Sequence, residues 1–364
     1  MVDEPRDDAA HHEADGGGTL VPTPEFEQVT AAPSVAVTEP PEEHVVSEPR
    51  SDRREPPSLH ARSHRLGDRI FRATTSGAGI FIIVLVALIG LFLLLQALPA
   101  IKDNKGNFFG HQWSVSPGQT DFGISGLLWA TVIASAIAMI IAVPIAIGIA
   151  LFMTQYAPKR FAAPIAYVID LLAAIPSIIY GIWGFAILSP KLEPVQRFLY
   201  HLGGIPIFKD EGFITGSIFD GGVVLAIMIL PIITAISRDV FARTPRENME
   251  AAWALGATRW EMIRLAVLPH GRAGVVSGSM LGLGRALGET IAISLILSAP
   301  SPSAGFNTSF FNGGETFASK IANSSGEFAN NPGPYIAAGL VLFVLTFIVN
   351  AIARSIVGRK EAQT

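Results

Sequence analysis

The stretch Glu250–Pro269, EAAWALGATRWEMIRLAVLP, decides the fold of this chain, because it predicts a bent pair of helices between two apolar segments. Just before it, Thr244-Pro245-Arg246-Glu247 has the spacing of a capping box with proline at the first helical position. We expect this first helix to run to about Leu255. It should end at Gly256, which is suited to the left-handed conformation of a helix C-terminus.

A second helix is expected after the glycine. Thr258-Arg259-Trp260-Glu261 is another capping box, and its helix should reach Leu268 and stop at Pro269. We call residues 244–269 the elbow. A helix, a bend and a helix also outline a DNA-binding helix-turn-helix, but tethering between two membrane spans argues against DNA. A solvated loop would need neither two caps nor the glycine.

Six segments predict an all-α integral membrane protein, since a membrane helix needs about 20 mostly apolar residues. Only 15% of the residues are charged, compared with about 25% in soluble domains. The sequence has no cysteine, which excludes disulfides and thiolate metal sites. The predicted spans are Gly77–Leu98, Leu127–Phe152, Phe161–Leu188, Gly222–Ser237, Ala273–Ser298 and Pro334–Ile356.

Basic residues predict the orientation of these spans, because Lys and Arg are enriched in cytoplasmic connections. Four connections are rich in them: the segment before the first span, the turn at Lys159 and Arg160, the region 238–272, and the C-terminal tail. All four fall on one side of a chain with six spans. Both termini are therefore expected to be cytoplasmic.

The N-terminal residues 1–57 are expected to form a disordered, acidic, proline-rich cytoplasmic tail. Residues 1–60 contain 14 acidic and four basic side chains, although the whole chain has a net charge of only −4. Residues 58–72 predict a basic juxtamembrane amphipathic helix, or else an ordinary positively charged flank of the first span. The six-span domain should then cover residues 73–360.

Two charged residues, Arg285 and Glu289, lie one helical turn apart in the fifth predicted span. A charge near mid-membrane costs about 2.5–3.5 kcal/mol on insertion scales, so the pair points to a function. A transported anion could compete with Glu289 for the planar guanidinium, although a static ion pair is the alternative. Small residues at every fourth position from 274 to 294 predict close approach of another helix.

The third predicted span carries Asp170 and Pro176. The proline should kink the helix by deleting a backbone hydrogen bond, and such breaks are tolerated where polar groups line a cavity. Asp170 is expected in the cytoplasmic half of this span. It could pair with Arg285, line an anion path, or make a structural hydrogen bond.

Three stretches resemble the permeases of ABC importers. Glu250-Ala251-Ala252, then Gly256, then Ala266-Val267-Leu268-Pro269 after nine residues, are similar to the EAA loop of that family, although the family has isoleucine at the Ala266 position. Gly284–Thr290, GRALGET, looks like the signature of phosphate-specific ABC permeases. Asp170–Gly184, DLLAAIPSIIYGIWG, is similar to the PstC-type subunit. The resemblance covers roughly residues 70–360.

This resemblance implies a type I ABC importer permease fold and a transport subunit rather than an enzyme. It implies that Arg285 and Glu289 take part in phosphate passage, and Asp170 is a third candidate for the pathway. The elbow would dock on a cytoplasmic ATPase. The residues expected to couple the two proteins are Glu250, Ala251, Ala252, Gly256, Leu268 and Pro269.

The resemblance also implies a complex in the bacterial plasma membrane. A PstA-like permease would complete the channel, two PstB-like ATPases would bind below, and a PstS-like phosphate-binding protein would bind above. The sequence has no Walker A motif and no GxGxxG loop, so ATP and Mg²⁺ are expected on the ATPase chain. Lipid, but no nucleic acid, is an expected partner.

The outer segment 299–333 could receive the binding protein, or its aromatic residues could anchor at the membrane interface. Its phenylalanines are Phe306, Phe310, Phe311, Phe317 and Phe328.

Other functions stay open at this point. A sulfate or molybdate importer would share the fold and the elbow, because one arginine distinguishes tetrahedral oxyanions poorly. A secondary anion transporter could use Arg285 and Glu289 as a proton relay, but it would have no reason for a docking elbow. A purely structural membrane subunit is the third alternative.

Overall fold

The computed structural model describes residues 66–116, 119–201, 208, 215–298, 308–324, 326 and 330–361. The predicted tail 1–57 and most of the predicted amphipathic helix lie outside these ranges. Residues Leu66–Arg72, the remainder of that helix, form the beginning of the first long helix.

Helices dominate the fold. In chain order the elements are α1 (Leu66–Lys102), β1 (Trp113–Ser116), β2 (Gln119–Phe122), α2 (Ser125–Leu151), α3 (Lys159–Ala174), α4 (Ser177–Trp183), α5 (Ser189–His201), α6 (Ile218–Ala242), α7 (Arg246–Ala254), α8 (Arg259–Met262), α9 (Leu268–Gly288), α10 (Ile291–Ile296), α11 (Phe317–Asn323) and α12 (Gly333–Glu361). The π-helical turns Phe152–Tyr156, Gly184–Leu188 and Ile263–Val267 continue α2, α4 and α8.

Four helices in the described ranges are long and apolar enough to cross a membrane, and a fifth span results if one bent pair is counted as a unit. That pair, Arg160–Ala174 and Ser177–His201, bends by 89°. The bend lies at Ile175 and Pro176, so the predicted kink at Pro176 is confirmed. The fourth predicted span is longer than expected, since α6 has 25 residues.

Helix α6 occupies the centre of the core. It packs against a buried stripe of alanines in α2, at residues 130, 134, 138, 142 and 146. It also packs against glycines of α9, where a Cβ on Gly282 would lie 2.9 Å from the Ile233 side chain and one on Gly278 would lie 3.1 Å from Ile236. The predicted close approach along the small-residue stripe is therefore confirmed for α9.

A small antiparallel hairpin departs from the all-α prediction. Strands β1 and β2 pair Trp113 with Phe122 and Val115 with Thr120. Trp113 and Phe122 are in ring contact, with centroids 5.6 Å apart, and both pack against the cluster formed by α1 and α12. The Pro-Gly dipeptide at 117–118, outside the described ranges, is the turn signal that sequence reasoning passed over.

The phenylalanines of the outer segment are divided among buried positions, the half-buried Phe310 and undescribed positions. Phe311 is 2% exposed and Phe317 is fully buried, so neither is available for the predicted contact with a binding protein or for interfacial anchoring. Phe317 packs with Ile124 and Leu127 at the start of α2. Phe306 and Phe328 lie outside the described residues.

Candidate functional site

The elbow is built from two helices around one left-handed glycine, and the second of them has a side-chain cap. Gly256 has φ +80° and connects α7 to α8, so the predicted bend is confirmed. The predicted capping box at Thr258 is also confirmed. Its hydroxyl oxygen accepts from the Glu261 backbone N–H at 3.4 Å, and the Glu261 carboxylate accepts from the Thr258 backbone N–H at 2.7 Å.

Hydrogen bonds from Thr258 hold the pKa of the Glu261 carboxyl below its ordinary value. The backbone N–H makes the larger contribution, and the hydroxyl donates a second bond at 2.8 Å. Both bonds favour the charged form. A negative charge in the first turn of α8 also suits the helix dipole.

Two elbow predictions are wrong. Thr244 does not cap α7, because its hydroxyl donates to the Phe241 carbonyl at 2.9 Å and Pro245 precedes the helix instead. Pro269 does not stop the second helix. The π-helical turn Ile263–Val267 comes just before the proline, and its backbone N–H groups bond to carbonyls five residues back. Pro269, which has no N–H to donate, therefore lies in the first turn of α9. The helix therefore continues from Arg259 to Gly288.

One side of the elbow is anchored in this chain. Met262, Ile263 and Val267 are buried against Ala150 and Leu151 of α2 and Phe241 of α6. Among the predicted coupling residues, Ala252 belongs to this buried cluster and Leu268 packs on it, whereas Glu250, Ala251, Gly256 and Pro269 are exposed.

The elbow also has exposed apolar side chains. Leu255 is 88% exposed, immediately before the bend. The large exposed apolar side chains of the elbow are Trp253, Leu255, Trp260 and Leu265, and they lie among exposed charged residues such as Glu250 and Arg259.

The fifth predicted span is broken where its second charge stands. Helix α9 ends at Gly288, and Glu289 has an extended backbone, with φ −69° and ψ 126°. The Glu289 side chain accepts from the Ala292 backbone N–H at 3.2 Å and so satisfies the start of α10. The prediction of Arg285 and Glu289 on one continuous helix is therefore wrong.

Arg285 lies in the last turn of α9, where a cation is favoured by the helix dipole. Its Nε is buried and has no hydrogen-bond partner among the described residues. Within the same part of the chain, the ion pairs are Glu193–Arg197, Arg238–Asp239 and Glu315–Lys320, so Arg285 pairs with neither Glu289 nor Asp170. The static ion pair considered from the sequence is not formed here.

Asp170 is exposed on α3 rather than joined to Arg285. The surface of α9 next to Arg285 is also open, since added Cβ atoms on Gly284 and Gly288 would meet nothing within 4 Å. In the described ranges, no group of three or more His, Asp or Glu side chains could hold a metal ion.

Sequence reasoning missed a buried carboxylate at the start of α6. Asp220 is fully buried, and it accepts from the Ser189 hydroxyl and the Gln196 amide, each at 2.6 Å. It also accepts from the backbone N–H groups of Gly216 and Ser217 at 3.2 Å. Ser217-x-x-Asp220 before an apolar run is a capping-box signal that could have revealed it.

Known proteins similar to this chain are membrane transport components. The family described as binding-protein-dependent transport system inner membrane component matches residues 142–361. Phosphate transport system permease protein PstC 2 of Mycobacterium tuberculosis is 51% identical over 309 residues, covering 82% of this chain and 94% of the relative. Phosphate transport system permease protein PstC of Mycobacterium leprae is 48% identical over 300 residues, covering 80% of this chain and 93% of the relative.

Among solved structures, a bacterial ABC transporter involved in the import of the acidic polysaccharide alginate is similar in fold. The similarity has a TM-score of 0.51 at 17% sequence identity, and it covers 81% of this chain and 99% of that chain. The fold is that of an ABC importer permease. By the matched residues 142–361 and by its identity to both mycobacterial proteins, this chain belongs to the family of binding-protein-dependent transport system inner membrane components.

Proposed function

We propose that this chain is the transmembrane permease subunit of an ATP-driven phosphate importer, in which it forms half of the anion pathway. The observation that carries the proposal is Arg285, a guanidinium held at a helix break with a buried Nε that lacks a partner in the described structure. A cation of this kind is costly in an apolar span unless an anion visits it. The names of the two mycobacterial relatives favour phosphate as that anion.

In the membrane the chain has six spans, with α3–α4 and α9–α10 as two broken ones. Both termini are cytoplasmic, because that orientation puts all four basic-rich connections on the cytoplasmic side. The open face of α9 at Gly284 and Gly288 lines the pathway together with Arg285 and Glu289. Asp170 is exposed on α3. In the complex it faces the same pathway, which lies between this chain and a PstA-like permease.

The elbow docks on a PstB-like ATPase through its exposed apolar side chains. Burial of each large apolar side chain in the ATPase contributes roughly 1.5–3 kcal/mol. Since α8, its π-helical turn and α9 follow one another without a break, their contour length is roughly 45 Å at 1.5 Å per residue. Closure of two ATPases, which bind ATP and Mg²⁺, moves this helix and with it Arg285. A PstS-like protein delivers phosphate from outside.

Reconstitution of the full complex in proteoliposomes tests this function. The measurements are uptake of labelled phosphate and ATP hydrolysis, each with and without the loaded phosphate-binding protein. We expect phosphate alone to stimulate hydrolysis and to be imported. Stimulation by sulfate or molybdate instead would identify a different importer, and uptake without the ATPase would identify a secondary transporter.

A further inference from the structure

The two broken helices meet directly after their breaks. Helix α4, which follows the break at Ile175 and Pro176, packs against α10, which follows the break at Glu289. The contact is between backbones, because a Cβ on Gly181 would lie 2.8 Å from the Ala292 Cα. A side chain at Gly181 would therefore push the two half-helices apart.

Tyr180 bridges the first break. The residue is 6% exposed, and its hydroxyl donates to the carbonyl of Leu172 at 2.8 Å. Leu172 lies in the last turn of α3, on the far side of Pro176. That carbonyl also accepts from the Ile175 backbone N–H at 3.3 Å, so the tyrosine hydroxyl adds a second bond, which ties α4 to the end of α3 across the break and fixes the angle between them.

The break at Glu289 is held through Ala292, the residue that also meets Gly181. Ala292, whose backbone meets Gly181, donates its N–H to the Glu289 carboxylate that ends α9. One continuous set of contacts thus runs from the end of α3 through Tyr180, Gly181 and Ala292 to the charged end of α9.

We infer that Tyr180 and Gly181 are positioning residues that join the two helix breaks, so that movement of α9 changes the angle between α3 and α4. The inference rests on the proposed function, because it assigns these residues to the coupling of elbow movement to anion passage. This role requires no contact between either residue and the anion. Both residues hold α4, the half-helix that packs against α10 next to the break at Glu289.

Two variants in the complete reconstituted complex test this link. Tyr180→Phe removes only the hydroxyl, and Gly181→Ala inserts a methyl between α4 and α10. Gly148→Ala in α2 is the matched control, since nothing lies within 4 Å of a Cβ there. The readouts are maximal phosphate uptake per assembled complex, the KM for the loaded binding protein, and phosphate imported per ATP hydrolysed.

For Tyr180→Phe we expect an approximately fivefold lower maximal uptake, the factor that follows from one hydrogen bond of typical net strength. The KM should be unchanged, ATP hydrolysis should continue, and fewer phosphates should enter per ATP. Gly181→Ala should do the same from the α10 side, and it supplies the result if Tyr180→Phe does not assemble. Normal uptake per complex and normal phosphate per ATP in the assembled variants would overturn the inference.

A distance measurement separates failure of this inference from failure of the proposed function. The chain has no cysteine, so single cysteines at exposed Leu171 in α3 and exposed Ser277 in α9 can carry spin labels. ATP binding by the ATPase should change the label separation, and Tyr180→Phe should reduce that change, whichever anion is carried. An unchanged response in Tyr180→Phe would contradict the coupling even if phosphate uptake is confirmed.

Discussion

At the scale of single residues, Glu289 decides the geometry of the charged site. An isolated helix pattern with Arg285 and Glu289 at i and i+4 predicts an ion pair. In the structure the carboxylate captures the Ala292 N–H instead, which offers the backbone an alternative to continuing the helix. The guanidinium is thereby left without its neighbouring carboxylate.

A pair of substitutions separates the cap from the charge at this position. Glu289→Gln keeps an oxygen that can accept from the Ala292 N–H, whereas Glu289→Ala removes it. We expect Glu289→Ala to lower the free energy of unfolding by about 0.5–2 kcal/mol, the usual value of an N-cap, and Glu289→Gln to lower it less. Thermal unfolding of the purified complex measures both. Equal destabilisation by the two variants would show that the cap is unimportant.

Glu261 gives a prediction on pH. Because its folded-state pKa is lowered, its cap stabilises the elbow fully above the ordinary carboxyl pKa. That contribution is lost as the pH falls through the lowered folded-state pKa. A carbon-13 titration of the Glu261 carboxyl in the purified protein should give a midpoint below that of a free glutamate. A midpoint at or above the ordinary value would contradict the Thr258 hydrogen bonds.

At the scale of elements, the elbow depends on one backbone conformation. Gly256 has positive φ, which costs other residues roughly 1–2 kcal/mol, while a Cβ there would meet nothing within 4 Å. We expect Gly256→Val to reduce co-purification of the ATPase and its stimulation. Gly256→Asn is the control, since asparagine tolerates this conformation and should retain both. Full coupling in Gly256→Val would show that the bend is dispensable.

The packing of α9 on α6 gives a stability prediction. A methyl on Gly274 would overlap the Val240 side chain, so Gly274→Ala should cost about 1–3 kcal/mol by overpacking. Gly148→Ala, at an open position of α2, should be neutral or stabilising because alanine is the better helix former. Unfolding of the two variants under the same conditions measures the difference. Equal stability would mean that α6 and α9 are not in close contact in the assembled protein.

Local chemistry explains which elements could be predicted. The Thr258 cap, Gly256, the Pro176 kink and the glycine stripe each depend on near neighbours in sequence, and the structure confirms them. The course of the chain through Pro269 depends on a π-helical turn that no residue pattern indicates. The break at Glu289 depends on the Glu289 carboxylate accepting from the Ala292 N–H, a bond that helical periodicity does not predict. The Asp220 network joins α5 to α6, and its Ser189 and Gln196 lie more than 20 residues away in sequence.

At the scale of the whole molecule, the continuous helix from α8 through α9 joins two regions that the sequence presents separately. One end carries the exposed Trp260 and Leu265 of the elbow, and the other carries Arg285. A Pro269 stop would have placed a joint between them. The helical backbone instead continues through Pro269, so the elbow and the charged break lie on one helix.

The most direct measurement of the central claim is phosphate uptake by reconstituted complexes that carry Arg285→Gln. The substitution removes the positive charge and keeps a shorter, uncharged polar side chain, so the complex should still assemble and the ATPase should still bind the elbow. We predict that uptake falls to background, and that Arg285→Lys, which keeps the charge but loses the planar fork, restores part of it. Normal phosphate uptake by assembled Arg285→Gln complexes would contradict the account.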